Sequence, residues 1–217
     1  MPALVVFDCF GTVVTELTPM PEAPELARRL AASLELPSIT AAAVLDDLIG
    51  TLWTALTEPA AEQPASRLLL ARILDEHGVS ADAAAVDRTL WHVLGPDDGR
   101  FRLCAPAAEA MVRTAAAGHT VRMVSTCYLP GDQMRRLLAG LGVPDVLDAC
   151  LFSADGGPKK PDPRAFAAVG AGDFTRRVMV GDTPHNDIAP ARELGWDTVQ
   201  VDPAAPDFTP LHALLGI

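Results

Sequence analysis

Three short apolar runs in this chain end on polar residues able to do chemistry, a fourth polar cluster follows a further short strand pattern, and that repetition restricts the fold. Asp8 follows Leu4-Val5-Val6-Phe7, Ser125 and Thr126 follow Val121-Arg122-Met123-Val124, and Asp182 and Asp187 follow Val178-Met179-Val180-Gly181. Lys160 lies in Gly157-Pro158-Lys159-Lys160-Pro161-Asp162-Pro163. Strand patterns at 120–125, 150–153, 177–180 and 198–201 are separated by helical spacing at 106–117, 131–141, 163–169 and 186–194, with a last helix at 209–215. Alternating strands and helices predict an α/β fold with a parallel sheet and right-handed crossovers, which binds ligands beyond the carboxyl ends of its strands. The four polar clusters are therefore expected at one edge.

Between the first strand and the rest the pattern changes. Alanine- and leucine-rich helical spacing runs through 22–35, 40–57, 64–77 and 81–94, without a strand. The turn-rich stretch Gly95-Pro96-Asp97-Asp98-Gly99 closes it. An inserted helical bundle within an α/β core is the expected organisation, and 217 residues suffice for it.

Composition narrows the function classes. A formal charge of -11 and a pI near 4.7 repel polyphosphate backbones, so no nucleic-acid partner is expected. Hydrophobic content of 49% and mean hydropathy of +0.22 owe much to alanine. No apolar stretch approaches the ~20 residues of a membrane helix, so a soluble protein with no membrane contact is expected. Met1 to Phe7 carries neither the basic region nor the length of a signal peptide, which predicts a cytoplasmic location. Cys9, Cys104, Cys127 and Cys150 form no C-x-x-C pair and read as reduced thiols. Among the 17 basic residues only Lys159 and Lys160 are lysines, a bias attributed first to a GC-rich genome.

A carboxylate nucleophile, a hydroxyl donor, a cation and two further carboxylates at one edge suit attack on an anionic centre neutralised by lysine and a divalent metal. The sequence resembles the haloacid dehalogenase (HAD) superfamily, whose four motifs occur in order. They are Asp8-Cys9-Phe10-Gly11-Thr12, Ser125, Lys160 before Pro161-Asp162-Pro163, and Gly181-Asp182-Thr183-Pro184-His185-Asn186-Asp187. The likeness extends to Pro106 and to Asn186-Asp187-Ile188-Ala189-Pro190-Ala191-Arg192-Glu193-Leu194-Gly195. The resemblance implies a Rossmann-like core over 1–15 and 100–217 with a helical cap over 16–99. It further implies Asp8 as nucleophile, Ser125 and Lys160 holding the transferring group, and Mg2+ held in part by Asp182. Thr126, Phe10 and Arg28 are the candidate substrate-binding residues, and Asp8, Phe10, Asp182 and Asp187 the candidate metal ligands.

Phe10 departs from the family's phosphatases, which usually place there a second Asp that protonates the leaving alkoxide. Such acid catalysis is worth roughly 10^2 to 10^4 in rate. The superfamily's dehalogenases also lack that acid, so Phe10 leans toward carbon–halogen cleavage through an aspartyl ester. Asp182 and Asp187 lean the other way, because they keep the acidic pattern of the family's metal-dependent phosphatases, whereas its dehalogenases tend to replace the metal-binding acid; converging carboxylates also raise one another's pKa unless a cation sits among them. Mg2+ prefers oxygen ligands, and Phe10 retains the backbone carbonyl that the family uses. A Schiff-base reaction like that of phosphonoacetaldehyde cleavage is disfavoured, because the expected cap has no lysine. Mg2+-dependent phosphate hydrolysis of a small metabolite by a monomer or homodimer is the leading expectation. A dehalogenase and a non-catalytic binding protein are the alternatives.

Several residues carry a plainer reading beside a functional one. His185 could supply the missing proton but is expected in solvent. Trp53 and Trp91 could line a substrate pocket but are expected in the helical core. Arg28 and Arg29 could reach a second anionic group, although exposed helix arginines are common. Asp187 could cap a helix starting near Ile188. Cys9 and Cys127 neighbour the expected catalytic positions and could approach each other in space.

Overall fold

The computed structural model describes residues 2–59, 61–96 and 99–217, so Asp97 and Asp98 of the expected boundary lie outside the described residues. The central sheet is five-stranded and parallel: β1 (Leu4–Asp8), β4 (Thr120–Ser125), β5 (Leu147–Phe152), β6 (Arg177–Gly181) and β7 (Asp197–Gln200), ordered β5-β4-β1-β6-β7. β1 lies at the centre, with Asp8 opposite Val124 of β4 and Phe7 opposite Val180 of β6. Every residue of β1 is buried, as a strand covered on both faces requires.

The two-residue alternation of β1 divides the core. Val5 and Phe7 face one side with Ala107, Ala110 and Met111 of α5 (Ala105–Ala116), Met134 and Leu138 of α6 (Gly131–Gly140), and Leu211 of α9 (Thr209–Leu215). Leu4 and Val6 face the other with Phe166 and Val169 of α7 (Pro163–Val169) and Ala191 of α8 (Ala189–Glu193). The chain leaves β1 toward β4 and β5, then crosses back to β6 and β7, so a crevice opens where the connections diverge, at the carboxyl end of β1.

Four helices, α1 (Ala23–Leu34), α2 (Ser38–Thr57), α3 (Ser66–Glu76) and α4 (Ala83–Leu94), lie between the two strands of an antiparallel ribbon. That ribbon, β2 (Val14–Glu16) with β3 (Phe101–Leu103), escaped the sequence reading because three-residue strands carry too little pattern. The helices dock on the core through specific polar ties. Ser66 Oγ donates to the Tyr128 carbonyl at 2.7 Å, and Arg67 bridges Asp87 of α4 to Asp132 of α6. The buried Arg100 donates to the Tyr128 hydroxyl at 2.7 Å.

Four expectations need correction. β5 is longer than 150–153, because its first half is exposed and carries Asp148. The helix expected at 186–194 is a wide π-type turn, Pro184–Ile188, followed by α8. Pro190 cannot donate the ladder bond that a continuous α-helix would need, and the Ala189 amide bonds back to the Pro184 carbonyl instead. Trp53 is 66% exposed rather than in the core, because α2 turns Ala41, Val44, Leu45, Leu48, Leu52 and Ala55 inward and leaves Trp53 outside. α2, at 20 residues, is also long and apolar enough by length and composition to cross a membrane, contrary to expectation; that inward row packs on α1 and α3. Trp91 packs against the core, with the Arg136 guanidinium 3.9 Å from its ring centroid.

Candidate active site

Sheet topology delivers three of the polar clusters directly. Asp8 terminates β1, Ser125 terminates β4, and Asp182 follows β6. Lys160 arrives on the loop after β5, which a short helical turn, Ser153–Asp155, redirects over the sheet edge. There the Lys160 ammonium is paired with both the Asp8 carboxylate and, at 2.6 Å, Asp187 Oδ1. All three side chains are buried. Asp8, Asp182 and Asp187 each present an oxygen within 4.8 Å of the others.

Two glycines make this approach possible. Gly11 has φ +88°, and a Cβ there would lie 2.6 Å from Asp182 Oδ2. Gly181 lets the Asp187 carboxylate sit against the end of β6, where a Cβ would lie 2.5 Å from its Cγ. Gly11→Ala is expected to cost about 1–3 kcal/mol through the left-handed backbone and the displaced carboxylate. A melting temperature lower by roughly 2–10 °C in calorimetry checks this; an unchanged one contradicts the contact.

The electrostatics follow from burial. Burial pushes the Asp8 carboxyl up to about 7 against the pull of Lys160, and Asp187 and Asp182 add to the rise. Asp182, half-buried, is also raised, first by burial and then by Asp187. Burial works to lower the pKa of Lys160, but Asp8 and Asp187 more than offset it, so the ammonium is held charged. With all three carboxylates ionised, one cation faces three anions. An all-oxygen donor set with excess negative charge fits a hard divalent ion such as Mg2+.

Thr12 belongs to the cluster although the sequence reading gave it no role. Its hydroxyl, fully buried, donates to Asp8 Oδ2 at 3.2 Å. The available signal was a hydroxyl residue four positions after the acid, beyond the turn glycine. Ser125 Oγ is buried with no oxygen or nitrogen partner among the described residues and only the weakly bonding Cys127 thiol beside it. Thr126 Oγ1 accepts from the Lys160 amide at 3.2 Å, tying the loop after β4 to the lysine loop. Phe10 is half-buried, its ring 5.2 Å from that of Phe101.

Arg28, Arg29 and His185 are not among the clustered groups. Arg28 is exposed and paired with Glu25 on its own helix. Arg29 also bonds Glu25, at 3.0 Å. His185 is exposed. Asp187 does not cap the following helix; its Oδ2 accepts from the Thr183 amide at 3.0 Å inside the π-type turn. Cys9 and Cys127 are buried, and burial raises both thiols, Cys127 to about 11, which suits inert packing rather than redox chemistry.

A family model described as haloacid dehalogenase-like hydrolase matches residues 2–195. A phosphoserine phosphatase from Thermus thermophilus is 29% identical over 184 residues, spanning 78% of this chain and 72% of that protein. Among solved structures, a 2-haloacid dehalogenase from Pseudomonas syringae pv. Tomato superposes with a TM-score of 0.60 at 22% identity, covering 96% of this chain and 90% of that one. A HAD phosphatase from Thermococcus onnurineus gives 0.57 at 17% identity, covering 100% and 98%. At these identities the structural likenesses speak for the fold alone.

Proposed function

The chain belongs to the haloacid dehalogenase-like hydrolases, and from that premise we propose that it is an Mg2+-dependent phosphatase of a small phosphorylated metabolite, with Asp8 as nucleophile. The observation that carries this is the cluster of three carboxylates, two of them paired with one buried ammonium. Its excess negative charge suits a divalent cation, whereas carboxylate attack on a carbon–halogen bond calls for none. The likeness to a phosphatase of phosphoserine supports the same direction. Phe10 favours the dehalogenase as a second reading, since a halide leaves without a proton.

In the proposed reaction an Asp8 oxygen bonds to phosphorus in line as the bond to the leaving oxygen breaks. Water then attacks that phosphorus, releasing inorganic phosphate and restoring the carboxylate. Lys160 balances charge on the phosphoryl oxygens, and the buried Ser125 hydroxyl donates to one of them. Thr12 holds Asp8 through its second oxygen. Thr126 holds the lysine loop in register through the Lys160 amide. A divalent ion bound by Asp8, Asp182, Asp187 and the Phe10 carbonyl would supply further charge neutralisation. α1 to α4 would serve as the cap that excludes water.

Hydrolysis of p-nitrophenyl phosphate, whose leaving group needs little protonation, tests this with Mg2+ or with EDTA. Turnover that requires the metal supports it. No turnover, with halide release from 2-halo acids, replaces it by the second reading. Phe10→Asp restores an acid beside the leaving oxygen and is expected to raise turnover of alkyl phosphates about 10^2-fold, with much less gain on the aryl ester. Equal gains on both would show that proton supply is not limiting. Losing the contact with Phe101 is expected to cost about 1–2 kcal/mol.

A further inference from the structure

The sequence spends its only two lysines on adjacent positions, while 15 other basic positions are arginine. Both lysines are buried, at 4% and 5% exposure. Lys160 serves the carboxylate cluster, whereas Lys159 reaches the helical insertion: its ammonium donates to the carbonyls of Ala55 and Glu58 at the carboxyl end of α2. That helix end has no basic residue of its own in its last turn, so Lys159 supplies, from another part of the fold, the cation that a helix carboxyl terminus favours. A compact ammonium with three donors suits two converging carbonyls in a buried space better than a broad, planar guanidinium.

Resting on the phosphatase reading above, we propose that Lys159 is a positioning residue for the reaction: its grip on the end of α2 sets the loop that places the Lys160 ammonium against Asp8. Neighbouring side chains on one short loop hold opposite partners, so the loop is fixed from both sides. On the sheet side the Lys160 amide is held by Thr126 Oγ1, and the Lys160 ammonium by Asp8 and Asp187. On the helical side Lys159 is the tie. Docking of α2 on the core and delivery of the Lys160 charge are thereby one event, and when α2 separates from the loop Lys160 loses its placement.

The experiment pairs kinetics with amine labelling, because the chain's only other amine is its N-terminus. Lys159→Met keeps most of the stem and removes the charge. Turnover of p-nitrophenyl phosphate is expected to fall about 10- to 100-fold in kcat, with KM changed less than about 3-fold, the cost of a misplaced catalytic group. Acetylation of Lys160 by an N-hydroxysuccinimide ester, read by peptide mass spectrometry with the N-terminus as internal control, is expected to quicken about 5-fold or more. A Lys159 that is only structural would lower the melting temperature and leave both kcat and Lys160 labelling unchanged, which overturns the proposal. Should Lys159→Met fail to fold, the wild-type protein still decides: Lys160 is expected to be labelled only in molecules already labelled at Lys159. Free labelling of Lys160 alone contradicts the tie. If the wild-type protein turns over no phosphate ester, the phosphatase reading fails while the labelling order still tests the positioning role.

Discussion

Asp8→Asn is expected to lower turnover of p-nitrophenyl phosphate at least about 10^4-fold while the protein remains folded, with a melting temperature within about 4 °C of wild type or higher. The two halves have separate causes. An amide cannot form the bond to phosphorus, and the neighbouring Cys9 and Cys127 do not replace it, being buried thiols with raised pKa values. The folded state meanwhile carries the Asp8 charge at a cost, because burial raises the carboxyl to about 7. Asn fills the same volume, keeps one oxygen to accept from Lys160 while its amide group turns to the Thr12 hydroxyl oxygen, and removes one of three clustered anions. A site that trades stability for chemistry regains some stability when the chemistry is removed. Steady-state assay with calorimetry on the same preparation checks both. Residual turnover within about 10-fold of wild type would remove Asp8 from the reaction, and a fall of more than 10 °C would mean that its charge holds the fold together.

What was legible in the sequence and what was not divides along physical lines. β1, β4 and β6 are continuous apolar runs because both faces of a central parallel strand are buried, and such runs stand out against an alanine-rich background. Their ends place Asp8, Ser125 and Asp182 at one sheet edge by topology alone, whereas Lys160 and Asp187 reach it from loops. Edge and ribbon elements were poorly legible. β5 alternates too weakly at the sheet margin, and β2 and β3 owe their pairing to each other rather than to local pattern. Helix faces were the other limit. Trp53 and Leu52 are neighbours in sequence, yet one is exposed and the other buried, and the hydrophobicity of a tryptophan does not reveal which way α2 turns it. Thr12 and Lys159 were present in quoted motifs but act through tertiary partners, the Asp8 carboxylate and the end of α2, which no spacing rule announces.

Lys160→Met should be the most damaging single change to the fold near the site, at about 3–5 kcal/mol, together with a loss of turnover of at least about 10^3-fold. Among the described residues the ammonium is the one cation paired with the buried Asp8 and Asp187, and both carboxylates lose it together. For a chain of this size the loss corresponds to a melting temperature lower by on the order of 10 °C in EDTA. Methionine matches the lysine stem closely, so lost packing contributes little and the penalty is electrostatic. That attribution has its own test, because two groups in direct contact are non-additive. Adding Asp8→Asn to Lys160→Met removes one of the stranded anions and should return about 1–3 kcal/mol, whereas the same Asn in the wild-type background returns less. Additive effects in this cycle would mean that Lys160 stabilises the fold by filling space, and the charge argument for the site would lose its thermodynamic support. A positive coupling, measured by urea unfolding of the four proteins, would place the stability cost and the catalytic role of Lys160 in the same two ion pairs.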